Sequence, residues 1–184
     1  MYWFSESDNG LYFFYGRADV KRCPACEELL AKWDEDLTVA LNVIPIHRRK
    51  RRYDISSSYD GVSVVSRRFK ELYDRTALTG LRFSDLGDDA FAICATEVVQ
   101  FDTQRRGTRL EKKCDVCGRY ESVVGATPPC LLPGRVISPL SFARTDLEFG
   151  SADEKSPLLL CGDDVAQILW AAKLKGVVLK KVKT

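Results

Sequence analysis

The chain is expected to fold as an α+β protein, a single mixed domain over residues 1–184, and three observations point there. A pattern of apolar strand, amphipathic helix and second strand occurs at 62–83 and returns at 158–179. Two Cys-x-x-Cys turns, at 23–26 and 114–118, stand far apart in the chain. A composition that is 45% hydrophobic supplies a packed core, and no run of 18 apolar residues suggests a membrane span. The net charge of +2 gives no global electrostatic reason to expect nucleic acid or membrane as a partner.

From the N-terminus, Met1 to Glu6 lacks the basic start and long apolar run of an export signal. Seven cysteines, an odd number, fit a reducing compartment, so the protein is expected in the cytoplasm. Leu11 to Tyr15, aromatic and bounded by Gly10 and Gly16, suggests a strand. After the first cysteine turn, Leu29, Leu30 and Trp33 suggest the inward face of a short helix. Leu37 to Ile46 has the apolar, β-branched character of another strand. The run His47 to Arg52 then carries five fixed positive charges, suited to a solvated loop or to an acidic partner such as nucleic acid. His47 is the only histidine and has no ligand or triad partner at a useful spacing.

The internal echo has a constant offset of 96 residues, from Val62 to Leu158 and from Gly80 to Gly176. In the first copy Phe69, Leu72 and Tyr73 fall at helical spacing; in the second, Val165, Ile168 and Leu169 do the same. Ser66 suits a helix N-cap, Asp163 and Asp164 place negative charge at the second helix start, and Gly80 and Gly176 suit left-handed exits. A duplicated unit follows from this order and spacing.

Between the copies, Phe91 to Ala95 and Glu97 to Phe101 suggest strands, and Gln104 to Gly107 a hairpin tip. Arg109–Lys113 and Tyr120–Val124 flank the second cysteine turn as hairpin arms. Pro128 to Gly134 suggests a loop, and Ser141 to Ser156 an acidic surface loop.

The cysteine spacing carries the main chemical inference. Each Cys-x-x-Cys turn directs two thiols at one tetrahedral ion, and Cys23, Cys26, Cys114 and Cys117 together complete a four-thiolate shell with no open position. Such a shell describes one structural Zn2+ per chain. Gly118 favours the turn after the second pair, whereas Glu27 occupies the matching place in the first. Cys130 suits a buried thiol, and would be the substitute ligand if one of the four were wrong. A competing reading takes Cys23-Pro24-Ala25-Cys26 as a thiol-disulfide oxidoreductase motif at a helix N-terminus, which leaves Cys114 and Cys117 without a role. No phosphate-cradling glycine loop or nucleophile-base pair appears, and a non-enzyme is expected.

The two cysteine turns, Val64 to Leu72 leading to Leu78-Thr79-Gly80-Leu81-Arg82-Phe83, and the closing Ser156-Pro157-Leu158-Leu159-Leu160 unit resemble the double-CXXCG motif proteins. Glu27 departs from that motif. The resemblance implies an immunity protein of a bacterial polymorphic toxin system, which binds and neutralises one cognate toxin. Many toxins acting on nucleic acid present basic clefts, so Asp85, Asp88, Asp89, Asp146, Glu148, Asp153 and Glu154 are the expected toxin-facing residues. A zinc-ribbon-like nucleic-acid-binding protein is the alternative.

Overall fold

The computed structural model describes residues 1–14, 17–30, 32–33, 53–134 and 137–182. In chain order the elements are β1 (Tyr2–Asp8), β2 (Ile55–Ser57), β3 (Ser63–Ser66), α1 (Arg67–Arg75), β4 (Leu81–Asp85), β5 (Ala90–Ala95) and β6 (Val98–Val99). They continue with α2 (Thr103–Arg106), β7 (Arg109–Lys113), β8 (Tyr120–Val124), β9 (Phe142–Ser151), a 3-10 turn (Ala152–Glu154), β10 (Ser156–Cys161), α3 (Asp163–Ala172) and β11 (Val177–Lys181). The eleven strands among the described residues form one mixed sheet whose main order is β4-β5-β3-β2-β1-β10-β9-β8-β7, with β11 on β1 and β6 on β9. The fold is mixed α and β, as the patterning implied.

β1 is the hub. Tyr2 and Trp3 pair antiparallel with both β10 and β11, which therefore lie on opposite edges of β1, and Ser7 and Asp8 pair parallel with β2. β3 and β4 both run antiparallel to β5, so they are parallel to each other with one strand between them. β10 and β11 stand in the same relation across β1.

α1 forms because Phe69 and Leu72 present one buried stripe and Ser66 caps its start, its hydroxyl accepting from the Phe69 N–H at 3.3 Å. α3 buries Val165, Ala166 and Leu169 and begins with Asp163 and Asp164, where the helix dipole favours negative charge. Both helices pack on the same sheet face, in a core shared with Phe4, Ile55, Val65, Ile93, Phe142 and Cys161. Alternate residues of the same strands, Val64, Ala90 and Ala92, face the other way and meet Phe13, Phe14 and Leu29 from the first cysteine segment. Strands covered on both faces put apolar residues on both, which is why Val64–Val65 and Ala90–Ala95 show no period-two alternation.

Gly80 and Gly176 do have positive φ, +88° and +93°. Each, however, lies beyond the helix end and permits a close approach: a Cβ on Gly80 would stand 2.3 Å from the Phe142 carbonyl oxygen, and one on Gly176 2.1 Å from that of Ile55. The left-handed residues next to the helix ends are Ala77 and Lys173.

Several expectations are corrected. Residues 11–14 form no strand; the Phe13 and Phe14 rings are buried, and their N–H groups donate to the buried Asp60 carboxylate at 2.5 and 2.7 Å. Described residues 27–30 and 32–33 contain no helix, because Leu29 instead bridges back to Arg22. Gln104 to Gly107 is not a hairpin tip: Asp102 caps the Arg105 N–H and nucleates α2, which Gly107 ends at φ 68°. Ser141 to Ser156 is not a loop but mainly β9, the longest strand described, whose Phe142, Ala143, Thr145 and Phe149 are buried. The expected strand at Leu37 to Ile46 and the basic run His47 to Arg52 lie outside the described residues.

Candidate metal centre

The two cysteine turns have the same backbone. The Cys23 carbonyl accepts from the Glu27 N–H at 2.9 Å, and the Cys114 carbonyl from the Gly118 N–H at 2.8 Å. The Cys23 N–H donates to the Glu28 carbonyl and the Cys114 N–H to the Arg119 carbonyl, both at 2.8 Å. Glu27 and Gly118, the residues just past the second cysteines, share the left-handed conformation at φ 61° and 72°. The missing glycine of the first turn therefore changes its energy and not its shape. Glu27 is exposed, so exchanging it loses little packing. Glu27→Gly is expected to stabilise the fold by about 0.5–1 kcal/mol, by removing the left-handed cost of a Cβ-bearing residue. Chemical denaturation checks this: a lowered midpoint would show that the Glu27 side chain matters more than its backbone angle.

β7 and β8 carry Cys114 and Cys117 outward as a hairpin, in register through Leu110 with Val123 and Lys113 with Tyr120. The first turn reaches it from the opposite sheet face, and all four sulfurs lie within 4.8 Å of one another. Cys23 Sγ is 3.8 Å from Cys114 Sγ, and Cys26 Sγ is 3.7 Å from Cys117 Sγ. A tetrahedral ion with metal–sulfur bonds of about 2.3 Å separates its thiolates by about 3.8 Å, so the cage has the right size. Disulfide bonds are about 2.05 Å long, and all seven cysteines are free thiols. Cys130 is not among the four that cluster.

Electrostatics within the cluster are uneven. The N–H groups of Cys117 and Val116 point at Cys114 and draw its pKa down to about 7. At Cys26 the Glu28 N–H acts in the same direction, but desolvation and the neighbouring thiols push it up to about 12. Four thiols held this close oppose one another's ionisation, and a bound cation removes that conflict.

A belt of ion pairs secures the first turn to the rest of the site. Arg22 makes a two-pronged contact with Asp153, at 2.9 and 2.8 Å, and also donates to the Glu27 carbonyl. Arg119 donates to the carbonyls of Leu29 and Leu30 and pairs with Glu148 at 3.4 Å. Lys155 pairs with Glu28 at 2.8 Å, both side chains buried, and donates to the Tyr120 carbonyl. Lys32 donates to the carbonyls of Asp153 and Lys155, and desolvation lowers its pKa to about 8. A cleft of about 250 Å³ beside the hairpin is lined by Arg119, Tyr120, Glu148 and Lys155 among others.

The seven acidic residues do not form one group. Asp85, Asp88 and Asp89 are exposed around the β4–β5 turn, where Asp85 accepts from the Gly87 N–H and Asp89 pairs with Arg67. Asp146 and Glu148 are on β9, Asp146 accepting from the Phe101 N–H at 2.9 Å. Asp153 and Glu154 are in the 3-10 turn. Glu148 and Asp153 thus serve the cysteine site, while Glu154 is exposed. Sequence reasoning missed Arg22, Glu28, Lys32, Arg119 and Lys155; for Arg22 and Arg119 the available signal was a basic residue beside a cysteine turn, and the other three had none. No helix among the described residues is long and apolar enough to cross a membrane. Comparison of the chain with protein-family models and with curated proteins gives no match.

Proposed function

We propose that the protein is a cytoplasmic immunity protein that binds and neutralises a cognate toxin, with one structural zinc ion held by Cys23, Cys26, Cys114 and Cys117. The observation that carries this reading is the meeting of two turns of identical backbone pattern in one four-thiolate cage. A closed cage leaves no position for substrate, so the ion supports a scaffold that acts through its surface. The same observation supports the double-CXXCG resemblance, because both motifs contribute to a single centre.

The two strand-helix-strand segments are related copies in this reading. Supporting it, α1 and α3 begin at residues 67 and 163 and β4 and β11 at 81 and 177, each pair 96 apart. The left-handed pairs Ala77 with Lys173 and Gly80 with Gly176 keep the same offset. The toxin-facing surface is drawn from Asp85, Asp88, Asp89, Asp146 and Glu154, since Glu148 and Asp153 are held in part-buried ion pairs that fasten the cysteine site, whereas the Asp89–Arg67 pair is exposed on both sides. An acidic surface speeds encounter with a basic cleft and makes the on-rate sensitive to salt.

The alternative, a zinc-ribbon-like nucleic-acid binder, draws on β7, whose five residues are all exposed and include Arg109, Lys112 and Lys113. Co-expression with the toxin encoded next to this gene is the test. Rescue of growth by wild type and weaker rescue by Asp85→Asn/Asp88→Asn/Asp89→Asn is the expected result. Failure of folded, zinc-loaded wild type to rescue, with salt-dependent binding to nucleic acid instead, would favour the alternative.

A further inference from the structure

The four cysteines of the cage differ in accessibility. Cys23 is 1% exposed and sits on the buried side of the cage, whereas Cys26 is open to solvent. Across the two turns Cys26 Sγ contacts Cys117 Sγ at 3.7 Å on the outer side, and Cys23 Sγ contacts Cys114 Sγ at 3.8 Å on the inner side. Within each turn, both backbone hydrogen bonds are already made, so joining the two cysteines of one turn would twist a satisfied loop. Cys26 and Cys117 start with their sulfurs in contact at 3.7 Å, and closing to about 2.05 Å forms the bond.

We infer that the cage is a peroxide-responsive fastener, in which Cys26 and Cys117 form a cross-turn disulfide while Cys23 and Cys114 remain reduced. This rests on the metal-binding reading given above. In the zinc-loaded protein Cys26 is a thiolate, and it attacks the O–O bond of a peroxide, giving a sulfenic acid and releasing hydroxide. The thiolate of Cys117 then displaces the second hydroxide from that sulfur, forming the S–S bond. Two thiolates have lost two electrons in total, the peroxide has gained them, and the ion, left with two sulfur ligands, departs. The new bond joins residues 91 positions apart, so the two turns stay fastened after the ion has gone. Loss of metal by oxidation and loss by chelation therefore have different structural outcomes: the first keeps the connection and the second dissolves it.

The test uses the full chain loaded with zinc and treated with one equivalent of hydrogen peroxide. Released zinc is followed with a chromogenic chelator, remaining thiols are alkylated, and disulfides are mapped by mass spectrometry. The expected result is one zinc released per Cys26–Cys117 linkage, alkylated Cys23 and Cys114, and a melting temperature above that of the chelated protein. Addition of dithiothreitol and zinc should restore the starting state. A Cys23–Cys26 or Cys114–Cys117 linkage, or oxidation of Cys94 or Cys130 with zinc retained, would overturn the inference while leaving the metal site intact. Purified protein that holds no metal before treatment would instead overturn the metal reading on which it rests.

Discussion

Removing the ion from the reduced protein should lower the melting temperature by roughly 8–20 °C. The estimate treats the cage as a cross-link: 87 residues lie between Cys26 and Cys114, and closing a loop of that size in the unfolded chain is worth about 4–5 kcal/mol. For a chain of this length each kcal/mol corresponds to about 2–4 °C. Cys114→Ser should produce the same loss together with release of metal, and adding zinc to the variant should restore little. Metal occupancy and thermal unfolding, measured with and without chelator under reducing conditions, decide the matter. Far less than one equivalent of metal on freshly purified protein, or an unchanged melting temperature after stripping, would refute it. Acid should mimic the chelator, because the thiolates must take up protons as the ion leaves.

The second large effect is expected at the Glu28–Lys155 pair. Both side chains are nearly inaccessible, 7% and 4% exposed, and the pair joins the first cysteine turn to the residue just before β10. Glu28→Ala leaves a buried ammonium without its counter-ion, and the cost of an uncompensated buried charge is about 3–5 kcal/mol. The double variant Glu28→Leu/Lys155→Met removes both charges at once and should be less destabilised than the single variant. Equilibrium unfolding of the two variants distinguishes the cases. If Glu28→Ala falls within about 0.5 kcal/mol of wild type, the pair is not a significant fastening of the site.

What the sequence made legible follows from the range of the interactions involved. The Cys-x-x-Cys turns, the arms Arg109–Lys113 and Tyr120–Val124, and the two helices are recorded in spacings of two to four residues. The ion-pair belt is not, because Arg22 and Asp153 are 131 residues apart and nothing local to either identifies the other. The Phe13-Phe14 segment shows a different failure. Clustered aromatics report burial, but the donors of that segment are satisfied by Asp60, 46 and 47 residues away, and not by a neighbouring strand. β1 was missed because its opening Tyr2-Trp3-Phe4 run does not alternate, since partners cover both of its faces. The acidic residues of β9 suggest a loop, whereas its buried Ala143, Thr145 and Phe149 keep the period of a strand.

The position of β1 at the centre of the sheet has a consequence for biosynthesis. Its first residues wait for Cys161 and Lys181, the partners supplied by β10 and β11. At about 5–20 residues per second, roughly 10–35 s of translation separate the appearance of β1 from that of its last neighbour. Until β10 emerges the aromatic start of β1 has two vacant edges, and until β11 emerges it keeps one, a condition that invites pairing with other nascent chains. Contacts spanning nearly the whole chain also place the molecule among slow-folding, high-contact-order topologies. Arrest of the ribosome before β11 emerges should therefore leave an aggregation-prone intermediate, because β11 completes the pairing of β1.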